Sequence, residues 1–229
     1  MHLTALQNCA AFFQYYGSAL LSTPTPRVLD IGAQDVNGSL RQVVPSEFSY
    51  VGVDFVHGKG VDVVLEDPYV LPFAQDSADV VLSSSCFEHA EMFWVTFLEI
   101  LRVLKPGGLF YLNVPSNGDF HRYPVDCWRF YPDSGRALVN WAIRNGVDAA
   151  LLESYTTAQA VDQWNDFVAV FVKNSKAASR YPDRIIKHLT QFNNGLVLGS
   201  DQILNHSPLP EDKRKLAVIA QIVADRIKV

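Results

Sequence analysis

Residues 113–131 read Asn-Val-Pro-Ser-Asn-Gly-Asp-Phe-His-Arg-Tyr-Pro-Val-Asp-Cys-Trp-Arg-Phe-Tyr, the segment densest in side chains able to do chemistry. His121 has the ordinary acidity of a general base near neutral pH, and Asp126 or Tyr123 can assist or replace it. Arg122 and Arg129 carry planar guanidinium groups that clamp a carboxylate or phosphate in bidentate fashion. Asn117 and Trp128 complete the candidate substrate-binding set. A plainer reading stands beside this one: with five aromatics and two prolines in the segment, His121 and Asp126 can simply hold it together. The arginines can pair with Asp119, Asp126 or Asp133, and Trp128, Trp141 and Trp164 can be packing anchors.

A second group of residues points to a nucleoside cofactor. Val28-Leu29-Asp30-Ile31-Gly32-Ala33-Gln34-Asp35-Val36-Asn37-Gly38 reads as a strand, a glycine-bearing turn and a helix start. A nucleoside needs backbone to approach closely there, and glycine permits that. A dinucleotide fingerprint would place glycines at 32, 34 and 37, but positions 34 and 37 hold Gln and Asn, which counts against NAD. Asp54 falls at the end of the second predicted strand, where a carboxylate can accept both ribose hydroxyls; its alternative is a solvated strand end. Asp67, before Leu71-Pro72-Phe73, can face an adenine amino group or simply be solvated. His89 follows the fourth strand beside Glu88 and can line the same pocket or pair locally. Cys86 reads as a small packing residue, since no evident base accompanies it.

The elements that must position these groups follow from hydrophobic spacing. Leu3, Leu6, Ala10, Phe13, Tyr16 and Leu20 form the stripe of an amphipathic helix, ended by Thr23-Pro24-Thr25-Pro26. Apolar runs at 28–31, 50–53, 61–65, 78–82 and 109–114 have the length of buried parallel strands. Residues 91–104 form a helix that Pro106-Gly107-Gly108 stops, and 132–145 form another ended by Gly146. Strands at 149–156 and 167–172 leave no room for a crossover helix and must pair antiparallel. Further apolar stretches lie at 184–189 and at 216–227, the second a closing helix.

The chain has 229 residues, enough for one substantial core. Hydrophobic residues at 48% and charged residues at 19% exclude a disordered chain. Net charge is −5 with pI near 5.6, which provides no global positive field for nucleic acid or anionic lipid. Three cysteines without a CxxC pair argue against a disulfide framework and a zinc site, so no metal is expected and a reducing cytoplasm fits. No leader pattern opens the sequence and no apolar run has spanning length, so neither membrane insertion nor export is expected.

From Val28 to about Ser116 these features resemble the class I S-adenosylmethionine (SAM)-dependent methyltransferases, in particular the branch described as methyltransferase type 11. The resemblance is carried by Asp30-Ile31-Gly32, Tyr50-Val51-Gly52-Val53-Asp54, Asp67 before Leu71-Pro72-Phe73, Asp79-Val80-Val81, Glu88-His89 and Leu101-Arg102-Val103-Leu104-Lys105-Pro106-Gly107-Gly108. It implies SAM as cofactor, with Asp30 and Gly32 bordering the methionine moiety, Asp54 holding the ribose and Asp67 facing the adenine. Gln34, Gly38, Phe55, Ser83 and His89 complete the expected cofactor-binding set. The terminal antiparallel hairpin is a hallmark of the same family. Two departures stand out: Gln34 replaces the usual second glycine, and only six residues, 55–60, join the second and third strands, which brings Gly58-Lys59-Gly60 towards the adenine.

The expected architecture is a doubly wound, Rossmann-like, seven-stranded and mostly parallel α/β sheet with helices on both faces. Residues 1–175 form the methyltransferase domain, capped by a helix at 1–22, and 176–229 form a helical appendage packed on it. The expected reaction is methylation of oxygen or nitrogen on a small-molecule or glycan-type acceptor. Ser83-Ser84-Ser85-Cys86 lacks the Asn/Asp-Pro-Pro-Tyr/Phe signature of DNA-base methylation, and the 123–130 stretch is similar to loops of bacterial enzymes acting on saccharides. The competing readings are a SAM-binding partner subunit without catalysis and a nicotinamide-dependent oxidoreductase.

Overall fold

The computed structural model of the protein describes residues 2–22, 24–159, 163–208 and 211–226, with the side chains of 211–214 left out. Thr23 and Ile227, parts of the expected α1 stop and closing helix, lie outside the described residues. Helix α1 (Leu3–Leu20) precedes strands β1 (Arg27–Ile31), β2 (Ser49–Asp54), β3 (Val63–Val64) and β4 (Ala78–Ser84). Helix α2 (Phe93–Val103), β5 (Leu104–Pro115), α3 (Ser134–Arg144), β6 (Ala149–Thr157) and β7 (Asp166–Lys173) follow, then β8 (Phe192–Val197) and α4 (Glu211–Arg226).

The sheet runs β3-β2-β1-β4-β5-β7-β6-β8. Every pairing from β3 to β5 is parallel, and β5-β7, β7-β6 and β6-β8 are antiparallel. The central strands β4 and β7 are buried almost throughout, as expected of near-continuous apolar runs covered on both faces. On one face α2 and α3 pack with Phe97, Ile100, Leu101, Leu138 and Ala142; on the other α1 packs with Phe12, Tyr16 and Leu20. Chain order steps outward from β1 in one direction and from β4 in the other, so a crevice opens at the carboxyl ends of this pair, where such sheets bind ligands.

Two expectations on architecture are corrected. The sheet has eight strands, because Phe192–Val197 adds to the edge of β6. The region after 175 is therefore not a purely helical appendage: two short 3-10 turns bury Tyr181, Ile185 and Ile186 against the α1 face, and β8 extends the sheet. The 184–189 stretch is one of those turns rather than a longer element. Buried Glu153 fixes it, accepting the amide N–H groups of Ile185 and Ile186 at 2.7 and 2.9 Å and the Tyr16 hydroxyl at 2.6 Å. Helix α4 forms where the closing helix was expected, but its side chains from Lys215 to Arg226 are exposed instead of packed. Among the described residues no helix is long and apolar enough to cross a membrane.

Candidate active site

A cleft of about 920 Å³ opens at the carboxyl ends of β1, β2 and β4, with the loop after β5 as its opposite wall. Gly32 ends β1 with φ +86°, a backbone region that L side chains rarely adopt. A Cβ there would lie 2.6 Å from Cys86 Cβ, so the turn is glycine both for its conformation and for the close seat of Cys86. Cys86, expected to be a packing residue, seats against this turn and also lines the cleft, and burial raises its thiol well above its usual pKa. The amides of Gly32 and Ala33 donate to Val53 O at 2.9 and 3.1 Å, fixing the turn beside the end of β2.

Asp54 lines the cleft at the end of β2. Its carboxylate accepts the Gln34 amide at 3.2 Å and the Val56 amide at 3.1 Å. A carboxylate offers roughly four lone-pair sites, so two remain for a ligand. Gln34 replaces a glycine for a visible reason. Its side chain packs on Gly58, where a Cβ would lie 2.6 Å from Gln34 Nε2, and its Oε1 accepts the Tyr123 hydroxyl at 3.1 Å. The residue that departs from the usual turn is the one that meets the acceptor-side loop.

That loop is held by its backbone and its ion pairs. The amides of Cys127 and Trp128 both donate to Glu88 O, at 2.8 and 3.2 Å, and the Phe130 amide donates to Pro115 O at 3.0 Å. Asp126 accepts the His121 amide at 2.7 Å and pairs with Arg129 at 2.6 Å. The Arg129 guanidinium, above all, holds the Asp126 carboxyl down at about 2. So pinned, the loop presents His121, Arg122, Tyr123 and Val125 to the cleft.

Of the expected cofactor set, Gly32, Gln34, Asp54, Phe55 and His89 line the cleft, and Asp30, Gly38, Asp67 and Ser83 do not. Asp30 lies buried behind it, taking the Tyr50 hydroxyl, and burial pushes its carboxyl up to about 7. The Gly38 amide turns onto Asp35 at 2.8 Å. Asp67 accepts the Tyr69 amide at 2.8 Å, and Pro68 and Tyr69 are the cleft residues there. Ser83 donates to Ile31 O at 3.0 Å between strands, while Ser84 and Ser85 reach the cleft. Gly58, Lys59 and Gly60 also stay out of the wall; Lys59 pairs with Asp35 at 2.6 Å.

On the acceptor side His121, Tyr123 and Arg122 line the cleft, and Asp126, Arg129, Asn117 and Trp128 do not. Asp126 and Arg129 satisfy each other. Asn117 ties the loop to the start of β7, accepting the Asn165 amide at 2.6 Å. Trp128 donates its indole N–H to Ala90 O at 3.0 Å and edges against Phe93 and Trp94, so it anchors the loop as in its plainer reading.

Glu88, Ser84, Ser85, Tyr69 and His2, none of them among the expected site residues, also line the cleft, as does Trp164, which was expected to be a packing anchor. Glu88 is 1% exposed, its Oε2 has no hydrogen-bond partner, and burial pushes its carboxyl up to about 8. A buried, incompletely satisfied carboxylate on a cleft wall is the signal that marks it, and burial is invisible in a sequence. His89, beside it, is shifted below its ordinary value by burial.

The sheet is doubly wound and ends in an antiparallel hairpin, with a glycine turn and a carboxylate at the ends of β1 and β2. Residues 29–112, from β1 through most of β5, match the family model described as methyltransferase domain. A methyltransferase of Mycobacterium marinum is 41% identical over 103 residues, which cover 44% of this chain and 40% of that protein. One of Mycobacterium tuberculosis is 42% identical over 69 residues, 30% of this chain and 27% of that protein. The chain thus matches less than half the length of these relatives. Among solved structures, a putative sarcosine dimethylglycine methyltransferase from Galdieria sulphuraria shares the fold with TM-score 0.55 and 14% identity, covering 74% of this chain and 86% of that one. The Burkholderia thailandensis 1,6-didemethyltoxoflavin-N1-methyltransferase, solved with its substrate and S-adenosylhomocysteine, shares it with TM-score 0.53 and 16% identity, covering 75% and 79%.

Proposed function

We propose that the protein transfers a methyl group from SAM to a small-molecule or saccharide acceptor that is held against residues 115–131. The observation that carries this reading is one continuous cleft with two unlike walls: Gly32 and Asp54 on one side, His121, Arg122 and Tyr123 on the other. Asp54 keeps lone pairs for two ribose hydroxyls, and Phe55 and Tyr69 offer apolar surface for a purine. SAM, when bound, supplies a methyl group on a positively charged sulfur. The remaining work is alignment and exclusion of water, which the loop provides by closing from β5 across to Gln34.

The acceptor end holds Glu88, His89 and His121. His121 Nδ1 lies 2.9 Å from Asp119 O and His89 Nδ1 lies 2.5 Å from Val125 O. Each ring therefore carries its proton on Nδ1, leaving the Nε2 lone pair to activate an acceptor. Arg122 suits an acidic group on that acceptor. Calorimetry with SAM, S-adenosylhomocysteine and NAD, followed by labelled SAM offered with sugar nucleotides, phenols and phosphorylated metabolites, tests the proposal. Binding of the SAM pair and transfer of label to one class support it, and NAD binding without SAM binding overturns it.

A further inference from the structure

Glu88, His89 and His121 each offer one ligand atom, and these atoms all lie within 4.8 Å of one another. Glu88 and His89 lie in the short turn Phe87–His89 after β4, and His121 comes from the loop after β5, so the cluster joins both walls.

Three independent details make this more than a chance gathering. First, both imidazoles direct Nδ1 at backbone carbonyl oxygens, Val125 O and Asp119 O, at 2.5 and 2.9 Å. That arrangement fixes the tautomer that exposes Nε2, as outer partners do for metal-bound histidines. Second, Glu88 is 1% exposed, and its Oε2 is without a partner although Oε1 is 3.8 Å from His89 Nε2. A buried carboxylate oxygen left unpaired costs free energy that a bound cation would return. Third, the cluster opens onto the cleft, so a cation there would keep coordination positions free for another ligand.

We propose that Glu88, His89 and His121 bind one first-row divalent metal ion. Two imidazoles and one carboxylate suit Mn, Fe, Co, Ni or Zn better than Mg or Ca, which favour oxygen ligands throughout. Donor atoms as much as 4.8 Å apart must draw together by about 1.4–1.8 Å to meet cis positions on one ion with bonds of about 2.1 Å, a shift that falls on His121 and the loop that carries it. A cation held there would leave positions open for an oxygen of the acceptor and would ease the loss of its hydroxyl proton to water. That oxygen then forms a bond to the methyl carbon as the carbon–sulfur bond breaks, leaving neutral S-adenosylhomocysteine. This last part rests on the methyltransferase reading; the metal site does not.

Co²⁺ titrated into chelator-stripped protein, followed by its visible d–d absorption and competed with Zn²⁺, tests the site. The expected result is one Co²⁺ per chain, displaced by Zn²⁺. Glu88→Gln and His121→Ala should each weaken Co²⁺ binding at least tenfold while S-adenosylhomocysteine affinity stays within about threefold. The S-adenosylhomocysteine titration and a melting curve report on folding of each variant. Failure to take up Co²⁺ or Zn²⁺ stoichiometrically, or uptake unchanged in both variants, overturns the site. Co²⁺ uptake without any binding of SAM or S-adenosylhomocysteine upholds the site and overturns the methyltransferase reading.

Discussion

The two walls of the cleft are built by different means. The donor wall is made by strand ends: Gly32 and Asp54 sit where β1 and β2 stop, and their positions follow from a parallel register that pairs Ile31 with Val53. Its residues are close in space because the sheet puts them there. The acceptor wall has no such frame. Residues 116–131 contain no helix or strand, and they hold their shape through the Asp126–Arg129 pair, Asn117 and the carbonyl of Glu88. A wall of strand ends tolerates loss of a side chain by losing one ligand contact. A wall of mutually bonded loop residues loses its geometry with any member of the network.

The largest expected effect falls on the donor side. Asp54→Ala should weaken SAM binding about a hundredfold or more, since each charge-assisted hydrogen bond to a ribose hydroxyl is worth about 1.5–3 kcal/mol. Asp54→Asn, which keeps an acceptor for the Gln34 or Val56 amide, separates ligand contact from turn structure. Calorimetric affinity unchanged in a folded variant would break the assignment of this wall to the donor.

Next in size, His121→Ala should lower turnover about a hundredfold with SAM affinity nearly intact, because loss of acceptor activation acts on rate. Rate and binding falling together, with a lower Tm, would make the loop part of the donor site and erase the contrast between walls. Arg129→Ala, which leaves Asp126 without its partner, is expected to copy part of this loss although Arg129 does not line the cleft. A turnover number equal to wild type would show that the pair does not position His121.

Tyr123→Phe removes the one hydroxyl that joins the loop to Gln34. A neutral hydrogen bond between partly exposed groups contributes about 0.5–1.5 kcal/mol, so KM for either substrate should rise roughly twofold to tenfold with kcat little changed. A larger fall in kcat than in affinity would place Tyr123 in the chemistry itself.

The smallest effect on function should come from Asp30, which the structure puts behind the donor wall. Burial raises its carboxyl to about 7, above the unfolded value. Its contribution to stability is thus fully present below about pH 4 and is lost as pH rises through about 7. Asp30→Asn should flatten that part of the pH–Tm curve and leave SAM affinity within about threefold. A loss of affinity as large as for Asp54→Ala would return Asp30 to the cofactor site.

Much of this protein was determined by sequence alone, for local reasons. Apolar runs and helical spacing located the strands from β1 to β7 and the helices α1 to α4, because burial of one face leaves a period in the chain. Gly32 was legible because a strand end followed by glycine has few other uses, and Asp54 because it is the carboxylate that closes the next strand. The strand that the sequence does not reveal is β8: with only two buried residues, Gly195 and Leu196, it carries too weak a pattern to read as a strand, and it forms because the edge of β6 is available to pair.

Only the tertiary structure could decide which of the candidate side chains face a ligand. Asp30, Asp67, Ser83, Asp126, Arg129 and Trp128 have the right chemistry and the right neighbourhood in the chain. Each is turned away from the cleft to satisfy a partner: Tyr50, the Tyr69 amide, Ile31 O, Arg129, Asp126 and Ala90 O respectively. Glu88 is the opposite case, a residue not expected in the site that is a buried, half-satisfied carboxylate on the cleft wall beside His89 and His121. Residue type and spacing determine what a side chain can do. Its direction depends on hydrogen-bond partners more than thirty residues away, as with Tyr123 and Gln34 or His89 and Val125, and no local pattern encodes those pairings.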